Sequence, residues 1–414
     1  MSDAAKQQPK PMLTVRQALD FLLSATRPVA DTETLPTLEA NGRILARAQV
    51  SGMNVPAQDN TQMDGYAVRA ADCASGAATL TVSQRIPAGQ VGQPLLPGTA
   101  ARIFTGALIP EGADAVVMQE QCELTDALAN ALVTIRHAPK PGEWIRRAGE
   151  DISTGAIILG EGTRLRSQEL GLAASVGLAE LPVRRKLRVA VFFTGDELAM
   201  PGEPLAPGAI YNSNRYTLRA LLENLGCEIS DFGIVPDSLD ATRSVLRQAA
   251  QGNDLIITSG GVSVGEEDHV KPAVEAEGKL NMWQIAMKPG KPLAFGEVRD
   301  AFFVGLPGNP VSSFVTFLML VRPFILRLQG VSDPAALEPR SYQLRADFNW
   351  LKADRRNEFL RVKLNPRGGL DLFPNQGSGV LTSTVWGDGL VDNPAGQAIR
   401  AGDTVRFIPF SELI

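Results

Sequence analysis

Histidine is nearly absent from this chain of 414 residues, with His137 and His269 the only two. That scarcity argues against a histidine-rich zinc centre and against a Ser-His-Asp triad, although one histidine would be enough for a triad. Cysteine is scarce too. Cys73, Cys122 and Cys227 are an odd number without close spacing, which predicts reduced thiols and a cytoplasmic protein rather than a disulfide scaffold. A basic excess is missing: the net charge is -5, which argues against non-specific nucleic-acid binding. No apolar run reads as reaching membrane-spanning length, and residues 1–11 are polar without a signal-peptide core, so no membrane partner is expected and that segment reads as a disordered tail. Neither Gly-x-x-x-x-Gly-Lys-Ser/Thr nor Gly-x-Gly-x-x-Gly occurs. Gly290-Lys291 is followed by Pro292, so a Walker-type NTPase and a dinucleotide oxidoreductase are both disfavoured.

What is present centres on residues 254–271. Leu255-Ile256-Ile257 is too short for a helix and reads as a buried strand. Thr258-Ser259-Gly260-Gly261 follows directly, where a hydroxyl and a glycine pair let an anion approach backbone N–H groups. Asp268 comes a few residues later. A tight steric turn explains such a loop equally well when it stands alone. Two further strands end the same way, however. Residues 188–193 run into Thr194-Gly195-Asp196-Glu197, and residues 301–306 run into Pro307-Gly308-Asn309-Pro310. Three strands ending in polar glycine loops describe one crevice of an α/β sheet.

The chain divides by texture. Thr14 is an expected N-cap, and Val15, Ala18, Leu19, Leu22 and Leu23 repeat at helical spacing. Residues 12–182 then read as a mixed N-terminal region of two subdomains. Its short strands lie at 79–82, 101–104, 115–118 and 156–159, with one further helix at 167–176. Residues 183–330 carry the alternating pattern of a parallel, Rossmann-like sheet closed by a long apolar helix at 311–328. Residues 338–414 return to short strands, at 342–345, 359–362, 370–372 and 404–407, consistent with a small barrel.

Charged and polar residues mark the chemistry. Glu197, Asp237 and Asp268 stand at successive strand ends. Each alone would be a helix cap, but three together favour a site. Acids beside phosphate-binding loops suit Mg²⁺ or another divalent cation. Lys288-Pro289-Gly290-Lys291-Pro292 puts two lysines on a stiff loop suited to a fixed anion. In the N-terminal region, Asp64 precedes Gly65, and Arg146-Arg147 lie beside Glu150-Asp151; a turn and a solvated charge cluster are the competing readings. From the residues alone, the chain holds an α/β domain that binds a phosphorylated ligand with a divalent cation.

The motifs together resemble the molybdopterin molybdenumtransferase family, that of MoeA and the E domain of gephyrin. They are Asp59-Asn60-x-x-Met63-Asp64-Gly65-Tyr66-Ala67, Phe104-Thr105-Gly106-Ala107, Gly149-Glu150-Asp151, Thr194-Gly195-Asp196-Glu197-Leu198, Ser259-Gly260-Gly261-Val262-Ser263-Val264-Gly265, Lys288-Pro289-Gly290-Lys291-Pro292 and Gly305-Leu306-Pro307-Gly308-Asn309-Pro310. They run in the family's order from about residue 13 onward. Thr61-Gln62 stands where the family commonly has Ser-Ala, and His269 where an aromatic is common. The resemblance implies insertion of molybdate into adenylylated molybdopterin with release of AMP, in an elongated homodimer whose active site is shared between subunits. It implies Asp64, Thr105, Glu197 and Asp268 as catalytic residues. Asp151, Ser259, Gly260, Gly261, Ser263, Asp237, Lys288, Lys291, Pro307, Gly308, Arg361 and Ser378 are implied as substrate-binding, and Glu197, Asp237 and Asp268 as candidates for the divalent cation. Molybdopterin adenylyltransferase, apo-molybdoenzymes and their chaperones are the further partners it suggests. Rival readings are an adenylyltransferase with a similar Ser-Gly-Gly domain, a non-catalytic scaffold, and a nucleotide hydrolase.

Overall fold

The computed structural model describes residues 12–125, 131–261 and 269–414. Asp268 and Ser263 lie outside the described residues, as does the expected tail at 1–11. Thr14 caps helix α1 (Val15–Ala25): its hydroxyl accepts from the Gln17 N–H while the Gln17 side chain accepts from the Thr14 N–H, so two orphan donors are satisfied reciprocally.

The N-terminal region folds back on itself. Thr32–Pro36 pairs with Glu180–Arg184, and Asn60–Thr61 with Ile145–Arg146, so residues 65–135 form an inserted unit between paired ends. That unit is a six-stranded sheet, formed by β1 (Gly65–Val68), β2 (Ala78–Ile86), β3 (Thr99–Ile103), β4 (Ala115–Met118), β5 (Cys122–Thr125) and β6 (Leu132–Ile135), in the order β4-β1-β3-β2-β6-β5. The Ser167–Ser175 helix, α2, follows.

The central sheet contains β7 (Arg188–Thr194), β8 (Glu228–Val235), β9 (Leu255–Ser259), β10 (Gly278–Gln284), β12 (Pro292–Val298) and β13 (Ala301–Leu306). The two-residue strand β11 (Met287–Lys288) belongs to another sheet. Helices α3 (Ser213–Asn224), α4 (Leu239–Ala249) and α5 (Val270–Glu277) connect them. Successive side chains of a strand face opposite sides, and here both sides are buried. Val189, Val191 and Phe193 of β7 join one hydrophobic cluster, while Ala190 and Phe192 join another; Leu255 and Ile257 of β9 divide from Ile256 in the same way. This explains why the strands read as continuous apolar runs.

The sheet order is β8-β7-β9-β13-β12-β10, and only the first four strands pair in parallel with their neighbours. The expected parallel sheet is therefore corrected to a mixed one, because β12 pairs antiparallel with both β13 and β10 and alone runs against the other five strands. Between β12 and β13 lie only Arg299 and Asp300, with Arg299 in the left-handed region at φ 54. Two residues can close a hairpin but cannot carry a crossover helix.

The long helix α6 spans Pro310–Leu328, with a π-helical turn at Phe317–Val321. By length and composition it could cross a membrane, which corrects the expectation that no apolar run reaches that length. Yet 83% of its apolar window is buried inside the protein. Its Phe324 packs edge-on against Phe295 and Phe302 of the sheet, which is the environment of a core helix.

The tail is a closed five-stranded barrel: β14 (Tyr342–Ala346), β15 (Asn357–Leu364), β16 (Gly369–Leu372), β17 (Gly389–Asn393) and β18 (Thr404–Pro409), closed by pairing of β15 with β17. The strand Gly389–Asn393 was not among those expected from the sequence. β11 pairs in parallel with β15, so the lysine loop of the central domain is hydrogen-bonded into the barrel.

Candidate functional site

Parallel strands β7, β9 and β13 end at one edge of the sheet, and their loops converge there. They frame a cavity of about 820 Å³, whose lining includes Glu197, Asp237, Ser259, Gly260, Gly261, Lys288, Lys291, Pro307, Gly308 and Ser378. Ten residues singled out in the sequence thus meet in one place. This is the crevice that an open α/β sheet offers at the carboxyl ends of its strands.

Hydrogen bonds hold these loops in register. The buried Ser259 hydroxyl donates to the Pro307 carbonyl at 2.9 Å and accepts from the Asn214 side chain at 2.8 Å. Asn214 also donates to the Gly308 carbonyl at 2.7 Å. Ser259 therefore ties the glycine loop to the proline loop. Gly260 sits at φ +97, where a Cβ would stand 2.8 Å from the Thr194 carbonyl oxygen, so only glycine allows this approach of two strand ends. Gly290 sits at φ +108 with a virtual Cβ 2.3 Å from Thr316 Oγ1, so the lysine loop presses directly on α6.

The two lysines differ. Lys288 Nζ lies 3.0 Å from Glu358 and 3.3 Å from Asp354, both contributed by the barrel segment. Lys291 forms no ion pair among the described residues. Arg361, expected as an oxoanion contact, does not line the cavity. It is 1% exposed, and its guanidinium donates to Ser383 Oγ and to the carbonyls of Phe359 and Gly377. Its backbone N–H donates to the Gln376 side chain at 2.9 Å. Burial pushes the guanidinium down to about 10, because no carboxylate among the described residues compensates the lost hydration. Arg361 is placed beneath the loop carrying Ser378 rather than in the cavity.

Asp64, Thr105 and Asp151 belong to the N-terminal region, and none of them lines this cavity. Asp64 and Thr105 form one unit: the Thr105 N–H and hydroxyl both donate to Asp64 Oδ1 at 2.7 Å. Those two bonds, the backbone one foremost, hold the Asp64 carboxyl below its ordinary range, and the charge of Arg102 adds to them. The Asp59 carboxylate accepts from the Arg147 guanidinium at 2.6 Å and from the Ala148 N–H at 2.8 Å, which joins the 59–67 motif to the loop carrying Asp151. Asp151 itself is exposed.

Sequence reasoning missed Asn214 and Arg356, both of which line the cavity. Asn214 lies two residues beyond the Asn212 cap of α3, and its position at a helix start beside a glycine loop was the available signal. Arg356 sits in an irregular barrel loop with no motif to mark it.

The donor set suits a hard divalent cation in kind. Glu197 and Asp237 line the cavity, and the buried Thr194 hydroxyl, which also lines it, has no hydrogen-bond partner among the described residues. Oxygen ligands of this type match Mg²⁺, which retains several waters and shares substrate phosphates. Among the described residues no group of three acids, histidines or cysteines gathers as a complete metal cage.

Comparison with known proteins accounts for most of the chain. Residues 13–177 match the family described as MoeA N-terminal region (domain I and II), residues 190–327 the probable molybdopterin binding domain, and residues 343–410 the MoeA C-terminal region (domain IV). The molybdopterin molybdenumtransferase of Haemophilus influenzae is 42% identical over 97% of this chain and 100% of its own length. That of a Nostoc species is 39% identical over 80% of this chain and 79% of its own. The crystal structure of the molybdopterin biosynthesis moeA protein from Pyrococcus horikoshii superimposes with a TM-score of 0.82 at 27% identity, covering 96% of this chain and all of that one.

Proposed function

Because the chain belongs to the molybdopterin molybdenumtransferase family, and so is a transferase of molybdenum cofactor biosynthesis, we propose that it inserts molybdate into adenylylated molybdopterin and releases AMP. The observation that carries this reading is the meeting of Lys288, Lys291, Ser378 and the glycine loops in one cavity. Molybdate is a dianion and the nucleotide end of the substrate is a phosphoanhydride, so both need cations and N–H donors.

In this reading the Ser259–Gly261 and Pro307–Gly308 loops cradle the phosphates through backbone N–H groups, and Lys291 with Ser378 contacts the oxoanion. Glu197 and Asp237, with Asp268 from outside the described residues, would hold Mg²⁺. When bound, that ion supplies charge neutralisation on the phosphoanhydride oxygens. Asp64, oriented by Thr105, acts as an ionised acceptor that positions a proton or a bound water at the reacting phosphate. It reaches the cavity from the second subunit of a homodimer, which also contributes Asp151.

AMP release from adenylylated molybdopterin, measured with Mg²⁺ and with or without molybdate, tests the proposal. Release that requires molybdate, with metal retained on the pterin, is the expected result; release that ignores molybdate would make the chain a hydrolase instead. A second expectation concerns pH. Asp64 is held ionised below its ordinary range, so its contribution should persist as pH falls and disappear only when the carboxyl takes up a proton. Thr105→Val removes the hydroxyl donor but keeps the N–H, and it should move the acidic limb of the rate profile to higher pH. An unmoved limb would separate that limb from Asp64.

A further inference from the structure

The barrel segment 350–358 brings a second set of charges to the cavity. Lys288 Nζ lies between two carboxylates of different character. Glu358 is 1% exposed, lies within strand β15, and is fully engaged: Oε1 accepts from Lys288 at 3.0 Å, and Oε2 accepts from the Trp350 indole at 2.8 Å and from the Asn393 amide at 3.3 Å. It cannot move without breaking the barrel. Asp354 lies outside the regular strands, at the longer distance of 3.3 Å from Lys288. Its carboxylate otherwise accepts from Arg356, from Nε and Nη2 at 2.9 Å each and from the N–H at 3.0 Å, while its backbone carbonyl accepts from the Gly396 N–H at 2.7 Å, so the side chain can swing while the backbone stays anchored. Arg356, unlike either acid, lines the cavity. The Arg356 guanidinium holds the Asp354 carboxyl well below the usual carboxylate range, so Asp354 is an anion at any working pH.

Two cations and two carboxylates leave this cluster with no net charge. A dianion approaching Lys288 and Arg356 gains little from cations that are already compensated, unless one carboxylate gives way. Glu358 is locked in place and Asp354 sits on a loop. We propose that Arg356 is a further anion-binding residue of the cavity and that Asp354 is its internal counter-ion, which the incoming oxoanion displaces from Lys288 and Arg356. Glu358 is a positioning residue that keeps Lys288 aimed while this exchange occurs. The arrangement acts as a selectivity device: a weakly charged anion does not repay the displacement of Asp354, whereas a tetrahedral dianion bridging both cations does.

This inference rests on the molybdate-handling reading, and its signature is a pair of effects with opposite signs. Asp354→Asn removes the competitor and should lower the KM for molybdate by ~3- to 30-fold, while sulfate becomes a correspondingly stronger inhibitor. Arg356→Gln and Glu358→Gln should each raise that KM by ~10-fold or more, with the change falling on KM rather than on kcat. A merely structural role for the segment predicts one sign for all three. A rise in KM for Asp354→Asn would overturn the counter-ion role, and an unchanged KM for Arg356→Gln would overturn the anion contact. Asp354→Asn and Arg356→Gln alter a surface loop, so the test stands even where Glu358→Gln weakens the barrel. A readout independent of turnover is acylation of the Lys288 amine, mapped by mass spectrometry on the full chain. Labelling should be slow in the wild type and faster in Asp354→Asn and Glu358→Gln, and equal rates in all three would overturn the tether. If no molybdate-dependent release is found even in the wild type, the functional reading fails, while the labelling result still decides whether the two acids hold Lys288.

Discussion

Mixing Asp64→Asn subunits with Glu197→Gln subunits is expected to restore activity that neither variant has alone. Each variant alone should lose ~10²- to 10³-fold in molybdate-dependent AMP release, the scale of a preorganised electrostatic contact removed from a reacting centre. Neither change should disturb the fold. An amide at position 64 can still accept from the Thr105 N–H and hydroxyl, and Glu197 stands in a loop after β7 rather than in the core. Within one chain Asp64 does not line the cavity that Glu197 lines, because Asp64 starts from the inserted N-terminal sheet and Glu197 from the end of β7. In a two-fold dimer with shared sites, a mixed pair carries both defects in one site and none in the other. Random exchange should therefore recover roughly a quarter of wild-type activity. Mixed dimers demonstrated by mass spectrometry yet without activity would sink the shared-site reading.

Loss of the Arg361 side chain is the second large effect expected. Arg361→Ala leaves the buried carbonyls of Phe359 and Gly377 and the Ser383 hydroxyl without their donor and opens a cavity in the barrel. A destabilisation of ~3–5 kcal/mol is expected in thermal or denaturant unfolding of that domain. Arg361→Met separates fold from charge. It keeps most of the side-chain volume and removes a buried cation, though it orphans the same acceptors, so it should be destabilised less than Arg361→Ala by the cavity contribution. The loop of Gln376, Gly377 and Ser378 then loses both its brace and the positive potential beneath it, and the KM for molybdate should rise several-fold. The sign with pH follows from the depressed pKa. Burial of the charged form costs stability at every pH below about 10 and is relieved only above it, so neither variant should differ from wild type in pH dependence between 5 and 8. An Arg361→Met variant with wild-type KM would reduce Arg361 to a packing residue.

Much of this arrangement was legible in the chain because its signals are local. Buried strands announce themselves by short apolar runs, and β7, β9 and β13 fall where those runs stand. Thr14 is legible as an N-cap from the helical spacing that follows it, without any tertiary contact. The hairpin of β12 and β13 was not legible, since its two-residue turn, Arg299-Asp300, carries no glycine or asparagine to mark it. The Gly389–Asn393 strand was missed for a related reason: Gly389 at its start and Asp392-Asn393 at its end are turn residues, which leaves only Leu390-Val391 to mark a strand.

The amino-acid sequence by itself determined the glycine elbows, the parallel strands that end in them, the mixed N-terminal region, the barrel and the residue types of the site. These depend on steric and hydrogen-bonding preferences acting over a few neighbouring residues. The destination of each charged side chain was decided only by the tertiary structure. Lys288 and Lys291 are three residues apart in one motif, yet one is tied to Glu358 and Asp354 of the barrel and the other has no ion pair among the described residues. Arg361 reads as an anion contact, and packing buries it under the loop it was expected to assist. Arg356 carries no motif and reaches the cavity because β11 pairs with β15. The partners of a long flexible cation are set by contacts between domains far apart in the chain, and no local pattern encodes them.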